Sequence, residues 1–276
     1  MSSDGTMTPI SNARMYAVAP DAEAAWRELL ARIGEASGVA LDYTAYPAPL
    51  PLEDLWRRPD LGCVFMCGYP IAMQTAVVTP IAAPIPDADW AAGRPVYRSD
   101  LIVRADSPFR TLADTFGHRA GWTVEHSHSG FNAFRHHLLR YRTPERPALY
   151  AEITGNLVTA RRILDAVLDG SIDVGPLDAY WHMLIAKYKP ELTADIRVID
   201  STDIAPAPAF VAAPSMPAGA VDRLRAAFAT AAEAPWFAPL GKALLIRGFA
   251  RMVRGDYVST LHWHADAKAA GYLIPA

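Results

Sequence analysis

Short apolar runs of strand length alternate with segments of helical periodicity, and this alternation constrains the fold more than any other feature of the chain. The clearest run, Leu-Gly-Cys-Val-Phe-Met-Cys at residues 61–67, is typical of a strand covered on both faces. Residues 21–34 instead place Trp26, Leu30 and Ile33 on one face of a helix. Strands that alternate with helices predict an α/β fold with a largely parallel sheet.

The same patterns predict the other elements. Strands are expected at residues 14–18, 39–46, 96–105, 119–124, 150–154, 171–177 and 196–199, and helices at residues 52–57, 111–116, 130–141, 155–168, 179–187, 218–232 and 256–270. Asp21 and Asp178 are expected N-caps, and Gly68-Tyr69-Pro70 an expected turn. Ligands of open α/β sheets bind outside the carboxyl ends of strands, so polar groups at these ends are candidates for a binding cleft.

One such strand end is unusually rich in hydrogen-bonding groups. Residues 122–132, Trp-Thr-Val-Glu-His-Ser-His-Ser-Gly-Phe-Asn, place a Ser-x-Ser-Gly turn before an amphipathic helix that extends to about Tyr141. Ser127 or Ser129 is expected to be the N-cap, and Gly130 is expected to leave backbone N–H groups open to a ligand. Hydroxyls and N–H groups at the positive end of a helix dipole form an anion site.

The charges around this turn agree in sign with an anionic ligand. Between residues 118 and 142 lie four arginines and five of the eight histidines, against one acidic residue. An ordinary capped helix with a solvated basic face accounts for the same pattern. The residues alone leave both interpretations open.

Length and charge exclude several classes of protein. The 276 residues suit one two-lobed protein or two small domains. A net charge of −3 argues against a broad nucleic-acid surface, and no apolar stretch is long enough to predict membrane insertion. Because only four residues are lysines, lysine-based chemistry has few candidates.

The N-terminal sequence and the cysteines give little information on location. Met-Ser-Ser-Asp-Gly-Thr-Met-Thr-Pro lacks the basic and apolar regions of a signal peptide, so a cytoplasmic location and a leader outside this sequence both stay open. Residues 1–12 are expected to form a flexible extension. Cys63 and Cys67 would lie about 13 Å apart on one strand, which is too far for a disulfide, so buried free thiols are expected.

Metal binding and hydrolysis are rival chemistries for the histidine-rich regions. His126-x-His128 and His262-x-His264 each offer two imidazoles, but no cysteine or carboxylate cluster stands beside either pair, so surface or capping histidines are expected. A serine and a histidine two positions apart on one turn rarely face each other, and no Gly-x-Ser-x-Gly elbow is present. No metal, cofactor or catalytic residue is therefore predicted.

Seven short motifs follow one another between residues 14 and 215. They are Met15-Tyr16, the segment Trp56-Arg-Arg-Pro-Asp-Leu61 leading to Cys67-Gly68-Tyr69-Pro70, Tyr97-Arg98-Ser99, Gly117-His-Arg-Ala-Gly121, Ser127-His-Ser-Gly-Phe-Asn-Ala133, Thr154-Gly155-Asn156, and Gly170-Ser-Ile-Asp-Val-Gly-Pro-Leu-Asp178. In this order the chain resembles the phosphate/phosphonate-type periplasmic substrate-binding proteins of ABC transporters. The resemblance implies a class II periplasmic-binding-protein (Venus-flytrap) fold with two Rossmann-like lobes joined by two crossing segments.

The resemblance also implies domains and a site. Residues 13–98 plus 205–276 would form lobe one, and residues 99–204 would form lobe two. A non-catalytic, monomeric protein would hold a small anionic or zwitterionic ligand between the lobes. The oxyanion would lie at Ser127, His128, Ser129 and Gly130. The other implied ligand-binding residues are Tyr16, Gly68, Tyr69, Tyr97, Asn156 and Asp178, of which Asp178 would face the amine of an aminophosphonate.

Two departures from the family pattern concern the ligand. Many relatives carry Ser, Thr or Gln at the position of His128, and a histidine after Gly-Ser where this chain has Asn156-Leu157. The implied ligand is therefore phosphonate, phosphate or another small molecule, the implied partner an ABC permease, and the implied location the periplasm. The alternatives on the same fold are a cytoplasmic ligand-sensing module, a pyrimidine-precursor enzyme and an iron-binding relative.

Overall fold

The computed structural model describes residues 7–276 as a mixed α/β protein. Its strands, in chain order, are β1 (Ile10–Asn12), β2 (Asp42–Tyr43), β3 (Leu61–Met66), β4 (Thr79–Pro86), β5 (Val96–Tyr97), β6 (Ser99–Arg104), β7 (Arg119–Gly121), β8 (Glu152–Thr154), β9 (Gly175–Asp178), β10 (Ile196–Ser201), β11 (Ala205–Pro206), β12 (Ala209–Ala212) and β13 (Ile246–Arg251).

The helices alternate with these strands, as the apolar patterns predict. The α-helices are α1 (Pro20–Ser37), α2 (Leu52–Trp56), α3 (Gly68–Met73), α4 (Ala133–Leu138), α5 (Ala160–Leu168), α6 (Ala179–Tyr188), α7 (Pro190–Thr193), α8 (Ala218–Thr230), α9 (Phe237–Leu244) and α10 (Val258–Ala269). A π-helical turn (His128–Asn132) precedes α4, and a 3-10 turn (Leu139–Tyr141) follows it.

The chain forms two compact units, and each unit contains several segments that are discontinuous in sequence. The first unit contains residues 7–67, Gln74–Pro95 and Ala207–Arg254, and the second contains Gly68–Met73, Val96–Pro206 and Gly255–Ala276. This division differs from the expected lobes, which stay a prediction, in placing the segments 68–73 and 255–276 in the second unit.

The first unit is built on a six-stranded mixed sheet in the order β13-β4-β12-β3-β1-β2. Strand β1 is parallel to β2 and β3, whereas β12 is antiparallel to β3 and β4, and β13 is antiparallel to β4. The expectation of a largely parallel sheet is therefore wrong. Before β12, the chain runs through residues 96–206 of the second unit, and it then returns antiparallel to β3 and β4. An antiparallel pair does not need the helical crossover that joins parallel strands.

Aromatic rings fill the core of the first unit. Phe65 of β3 stacks on Phe210 of β12 with ring centroids 3.8 Å apart, and it meets Trp26 of α1 edge-to-face. Strand β3 is buried at all six positions, as its apolar run predicts. The thiols of Cys63 and Cys67 are free and buried, which confirms that expectation.

The second unit has three small sheets. Strands β10, β6 and β9 form an antiparallel sheet, β7 and β8 pair in parallel, and β5 pairs with β11. Phe134 and Leu138 of α4 share one apolar core with Leu101 of β6 and Val174. This packing fixes the helix that follows the Ser-x-Ser-Gly turn against the β6 sheet.

Several local expectations are wrong. The predicted strand at residues 14–18 is a 3-10 turn, because the strand lies earlier, at β1. Gly68-Tyr69-Pro70 begins helix α3 and is not an isolated turn. Helix α1 has Ala19 as its N-cap residue and Pro20 in its first position, so Asp21 lies in the first turn and is no cap.

The expected flexible extension at residues 1–12 is wrong for its last three residues. Ile10–Asn12 is a buried strand that pairs with β2 and β3, so these residues are not part of a flexible extension. Residues 1–6 of that prediction lie outside the described residues. Over residues 7–276, no helix has the length and apolar character needed to cross a membrane.

The stacked pair in the first unit leads to a stability prediction. Phe65→Ala should lower the free energy of unfolding by about 3–5 kcal/mol, because it leaves a cavity among aromatic rings. Urea unfolding followed by circular dichroism measures the change. Val77→Ala is the control, because Val77 is 65% exposed. Equal stabilities of the two variants would contradict the assignment of Phe65 to the core.

Candidate functional site

The Ser-x-Ser-Gly turn starts a continuous helical segment, as the sequence predicts. Ser127 is its N-cap, and its Oγ accepts a hydrogen bond from Gly130 N at 3.0 Å. The first turn is π-wound, since Asn132 N donates to Ser127 O at 3.0 Å. Helical geometry then continues to Tyr141, the predicted end. Single π-turns of this kind are frequent at functional sites.

Gly130 has a different role from the one expected. A Cβ atom at Gly130 would overlap the side chain of Thr123, and Thr123 N donates to Gly130 O at 3.1 Å. The N–H group of Gly130 is bonded to Ser127 and is not open to a ligand. Glycine is therefore required here by the close approach of two backbone segments.

Ser129 is placed by its backbone. Its carbonyl oxygen accepts a hydrogen bond from Ser99 Oγ at 2.9 Å, which joins the helix start to β6. The residue is buried. Ser127 caps the helix, so the hydroxyl of Ser129 has no capping duty.

His128 is buried in the first turn of the helix. Its ring stacks on Trp263 of α10 with centroids 5.1 Å apart, and Tyr97 lies 5.9 Å away. Nδ1 of His128 contacts Asn132 Nδ2 at 3.3 Å, whereas Nε2 is buried without a hydrogen-bond partner in the described part of the chain. Burial, with a smaller contribution from His136, lowers the pKa of His128 to about 3. The imidazole is therefore neutral near pH 7.

Two further polar groups beside the turn are buried without a partner among the described residues. They are the indole N–H of Trp122 and the hydroxyl of Thr123. Trp122 packs edge-to-face on Phe131 of the π-turn, and its ring fills the space that a side chain at Gly155 would need. Unsatisfied buried donors are uncommon in folded proteins, so these groups beside the helix start are candidate contacts for a ligand.

Tyr69 and Gly68 lie together in α3, which packs on α10. The hydroxyl of Tyr69 is 2.8 Å from His264 Nδ1, and burial raises the pKa of Tyr69. Gly68 is required because any Cβ would overlap the ring of Tyr257. Both residues therefore support the packing of α3 on α10, in the same unit as the turn.

Tyr97 and Tyr16 occupy different units. Tyr97 is buried at the pairing of β5 with β11 in the second unit. Tyr16 is buried in the first unit, with its ring edge-to-face against Phe65 at 5.0 Å. The predicted ligand contact of Tyr16 stays a prediction.

Asp178 and Asn156 lie at or just after the ends of two strands of the second unit, β9 and β8. The Oδ1 atom of Asp178 accepts from Tyr180 N at 2.9 Å and from Trp181 N at 3.0 Å, which confirms the predicted N-cap of α6. Asn156 is exposed and has a left-handed backbone with φ of 55°, so it turns the chain after β8. The helix expected from residue 155 begins only at Ala160, because Thr159 is its cap.

The histidine pairs differ from a metal site. Within residues 7–276, no three His, Cys, Asp or Glu side chains lie close enough to hold a metal ion. His128 stacks on Trp263, and His264 contacts Tyr69 and Arg135. The iron-binding alternative gains no support from these contacts.

Two polar residues that support the turn are not among the predicted site residues, although one of them, Asn132, lies in a quoted motif. Asn132 donates to Thr260 O at 2.9 Å, and Arg135 donates to Asn132 Oδ1 at 3.2 Å and to Leu273 O at 2.8 Å. Both side chains are buried although polar. A polar residue on the inner face of an amphipathic helix is the signal that would have found them.

The lowered pKa of His128 predicts a pH-dependent stability. Below pH 6.5 the unfolded chain takes up a proton at His128 that the folded protein refuses until about pH 3. As the pH is lowered through that window, the free energy of unfolding should therefore decrease by up to about 1.4 kcal/mol per pH unit. The stability that comes from keeping His128 neutral is fully present above about pH 6.5. His128→Gln removes this dependence.

Urea unfolding at pH 7, 6 and 5 measures this difference. The wild type should lose more stability than His128→Gln between pH 7 and 5. His262→Gln, at an exposed position of α10, is the control and should follow the wild type. Parallel pH profiles of wild type and His128→Gln would show that His128 titrates normally.

Comparisons with solved structures show the fold. A binding protein component of an ABC phosphonate transporter from Pseudomonas aeruginosa has a TM-score of 0.78 at 15% identity, over 96% of this chain and 88% of that one. PhnD1 from Prochlorococcus marinus, in complex with methylphosphonate, has a TM-score of 0.75 at 14% identity, over 94% and 97%. A Xanthomonas citri protein bound to ATP has a TM-score of 0.65 at 18% identity, over 96% and 98%. These neighbours confirm the periplasmic-binding-protein fold.

Family membership rests on the sequence. No curated protein matches the chain. A family model described as the ABC transporter, phosphonate, periplasmic substrate-binding protein matches residues 16–257. The match covers most of the chain, and the protein therefore belongs to the periplasmic substrate-binding proteins of ABC phosphonate transporters.

Proposed function

We propose that this protein delivers a phosphonate- or phosphate-like ligand to an ABC permease and that residues 127–130 hold the anionic group. The observation that carries the proposal is the buried Nε2 of His128, which has no partner among the described residues at the start of a helix. The positive end of a helix dipole and its first N–H groups favour an anion. The indole of Trp122 and the hydroxyls of Thr123 and Ser129 add donors in the same region of the second unit.

The proposed role is non-catalytic and periplasmic. The hydroxyl of Ser127 accepts a hydrogen bond from Gly130 N, and Nδ1 of His128 is bonded to Asn132. A triad needs a nucleophile and a base within hydrogen-bonding distance. The periplasmic location and the permease partner rest on the family, whose description is that of a periplasmic transport component.

The remaining ligand contacts are part of the same proposal. Gly68, Tyr69, Tyr97, Asn156 and Asp178 belong to the second unit with the turn, and Tyr16 belongs to the first. Asp178 combines its capping role with a negative charge that would attract the amine of an aminophosphonate. A ligand with both a phosphonate and an amine suits a donor-rich turn and a carboxylate.

Ser129→Ala tests the oxyanion site. Methylphosphonate is the probe, and calorimetry measures its affinity. A hydrogen bond to a charged group contributes on the order of 1.5–3 kcal/mol, so the affinity should fall roughly ten- to a hundred-fold. Stability should change little, because Ser127 is the cap.

Thr111→Ala is the matched control for this test. Thr111 caps the 3-10 turn Leu112–Thr115 in a capping box, so its loss should cost about 1 kcal/mol of stability without changing affinity. Unchanged binding of methylphosphonate, phosphate and sulfate by Ser129→Ala would place the ligand elsewhere.

Asp178→Asn tests the amine contact separately from the cap. Asparagine caps helices about as well as aspartate, so α6 should keep its stability within a few tenths of a kcal/mol. The variant loses the charge, so its preference for 2-aminoethylphosphonate over ethylphosphonate should fall roughly tenfold in affinity ratio if an ion pair of about 1.4 kcal/mol is lost. An unchanged ratio would leave Asp178 with only its capping role.

A further inference from the structure

The side chain of Asn132 has only one orientation that satisfies its neighbours. Its Nδ2 is 2.9 Å from Thr260 O, and a carbonyl oxygen can only accept a hydrogen bond. Its Oδ1 is 3.2 Å from Arg135 Nη2, and a guanidinium can only donate. The amide is fully buried, so a flipped orientation would oppose two like groups at once. The nitrogen therefore faces α10 and the oxygen faces Arg135.

The second hydrogen of this amide determines the tautomer of His128. Asn132 Nδ2 lies 3.3 Å from His128 Nδ1, and an amide NH₂ group can only donate. Nδ1 must therefore carry the lone pair, and a neutral imidazole then carries its hydrogen on Nε2. Nε2 is the buried atom of His128 that has no protein partner over residues 7–276.

Arg135 is itself held rigidly. Its Nη1 donates to Leu273 O at 2.8 Å, its Nη2 also contacts His264 Nδ1 at 3.0 Å, and its guanidinium lies 4.8 Å from the ring centre of Phe131. A buried guanidinium with these partners cannot turn away from Asn132 without losing several of them. A chain of hydrogen bonds thus extends from Leu273 in the C-terminal segment, through Arg135 and Asn132, to His128.

We infer that Asn132, oriented by Thr260 and Arg135, is a specificity-determining positioning residue that fixes His128 as an Nε2–H donor for an unprotonated ligand oxygen. The inference rests on the proposed oxyanion site at residues 127–130. It adds that Nε2–H of His128 favours ligands with an oxygen that can accept a hydrogen bond at this position. A ligand that presents a hydroxyl hydrogen or an apolar group to Nε2 would leave a buried donor unpaired, which is the strongest way for a site to reject an analogue.

The first measurement is the tautomer itself. Nitrogen-15 NMR of the histidine-labelled wild type at pH 8 without ligand should show His128 with its hydrogen on Nε2, assigned by loss of the signal in His128→Gln. In Asn132→Asp, a carboxylate that can only accept faces Nδ1, and the hydrogen should move to Nδ1. The Nδ1–H form in the wild type would overturn the inference without any binding experiment.

The second measurement is the affinity for methylphosphonate at pH 8. Asn132→Asp should bind roughly ten- to a hundred-fold more weakly, because Nε2 then presents a lone pair to the anion. His128→Leu should show a similar loss, whereas His128→Gln, whose amide can offer N–H at the position of Nε2, should retain most of the affinity. This rescue distinguishes a donor role from a packing role, and it holds even if Asn132→Asp does not fold.

The outcomes separate this inference from the proposed function. If Ser129→Ala weakens binding but His128→Leu or a tautomer-reversed Asn132→Asp does not, the site stands and the role of Asn132 is overturned. If none of these variants changes affinity, the anion does not bind at residues 127–130, and both are overturned. Equal losses in His128→Gln and His128→Leu would also overturn the donor role.

Discussion

The proposed anion site depends on the packing of the start of the 128–141 helix against α10. Asn132 bridges the two helices through Thr260 O, and Trp263 of α10 stacks on both His128 and His136. Leaving a buried amide without its partners costs about 1–3 kcal/mol. The geometry of the helix start is therefore set by a segment more than a hundred residues later, and this contact is one reason why residues 255–276 belong to the second unit.

The arginines around this helix play a structural role, which changes the meaning of the basic sequence. Arg119 pairs with Asp173, Arg140 pairs with Asp203, and Arg142 donates to two backbone carbonyl groups. Arg135 supports Asn132. The positive charges in the sequence thus hold loops and helices together. At the proposed site, residues 127–130, an anion would therefore meet neutral donors at a helix start.

Local signals predicted the parts of the fold that depend on neighbours in sequence. The apolar run gave the buried strand β3, and Ser127 and Asp178 cap helices because their side chains reach N–H groups two or three residues away. Three of the wrong expectations involve partners outside the local pattern. The direction of β12, the helical start at Gly68 and the role of Gly130 depend on contacts with β3, Tyr257 and Thr123, and no periodicity contains that information.

A site made of neutral donors recognises its ligand differently from a cluster of cations. A cation attracts any anion over a long range, and salt screens that attraction. A buried N–H group acts only at hydrogen-bonding distance and only on an acceptor in the right place, so the penalty for a wrong ligand is a desolvated donor. Nε2 of His128, which has no partner among residues 7–276, fits this second mode, since the pKa of His128 near 3 keeps the ring uncharged. Selectivity at residues 127–130 would then come from the arrangement of acceptors on the ligand, and its total charge would matter less.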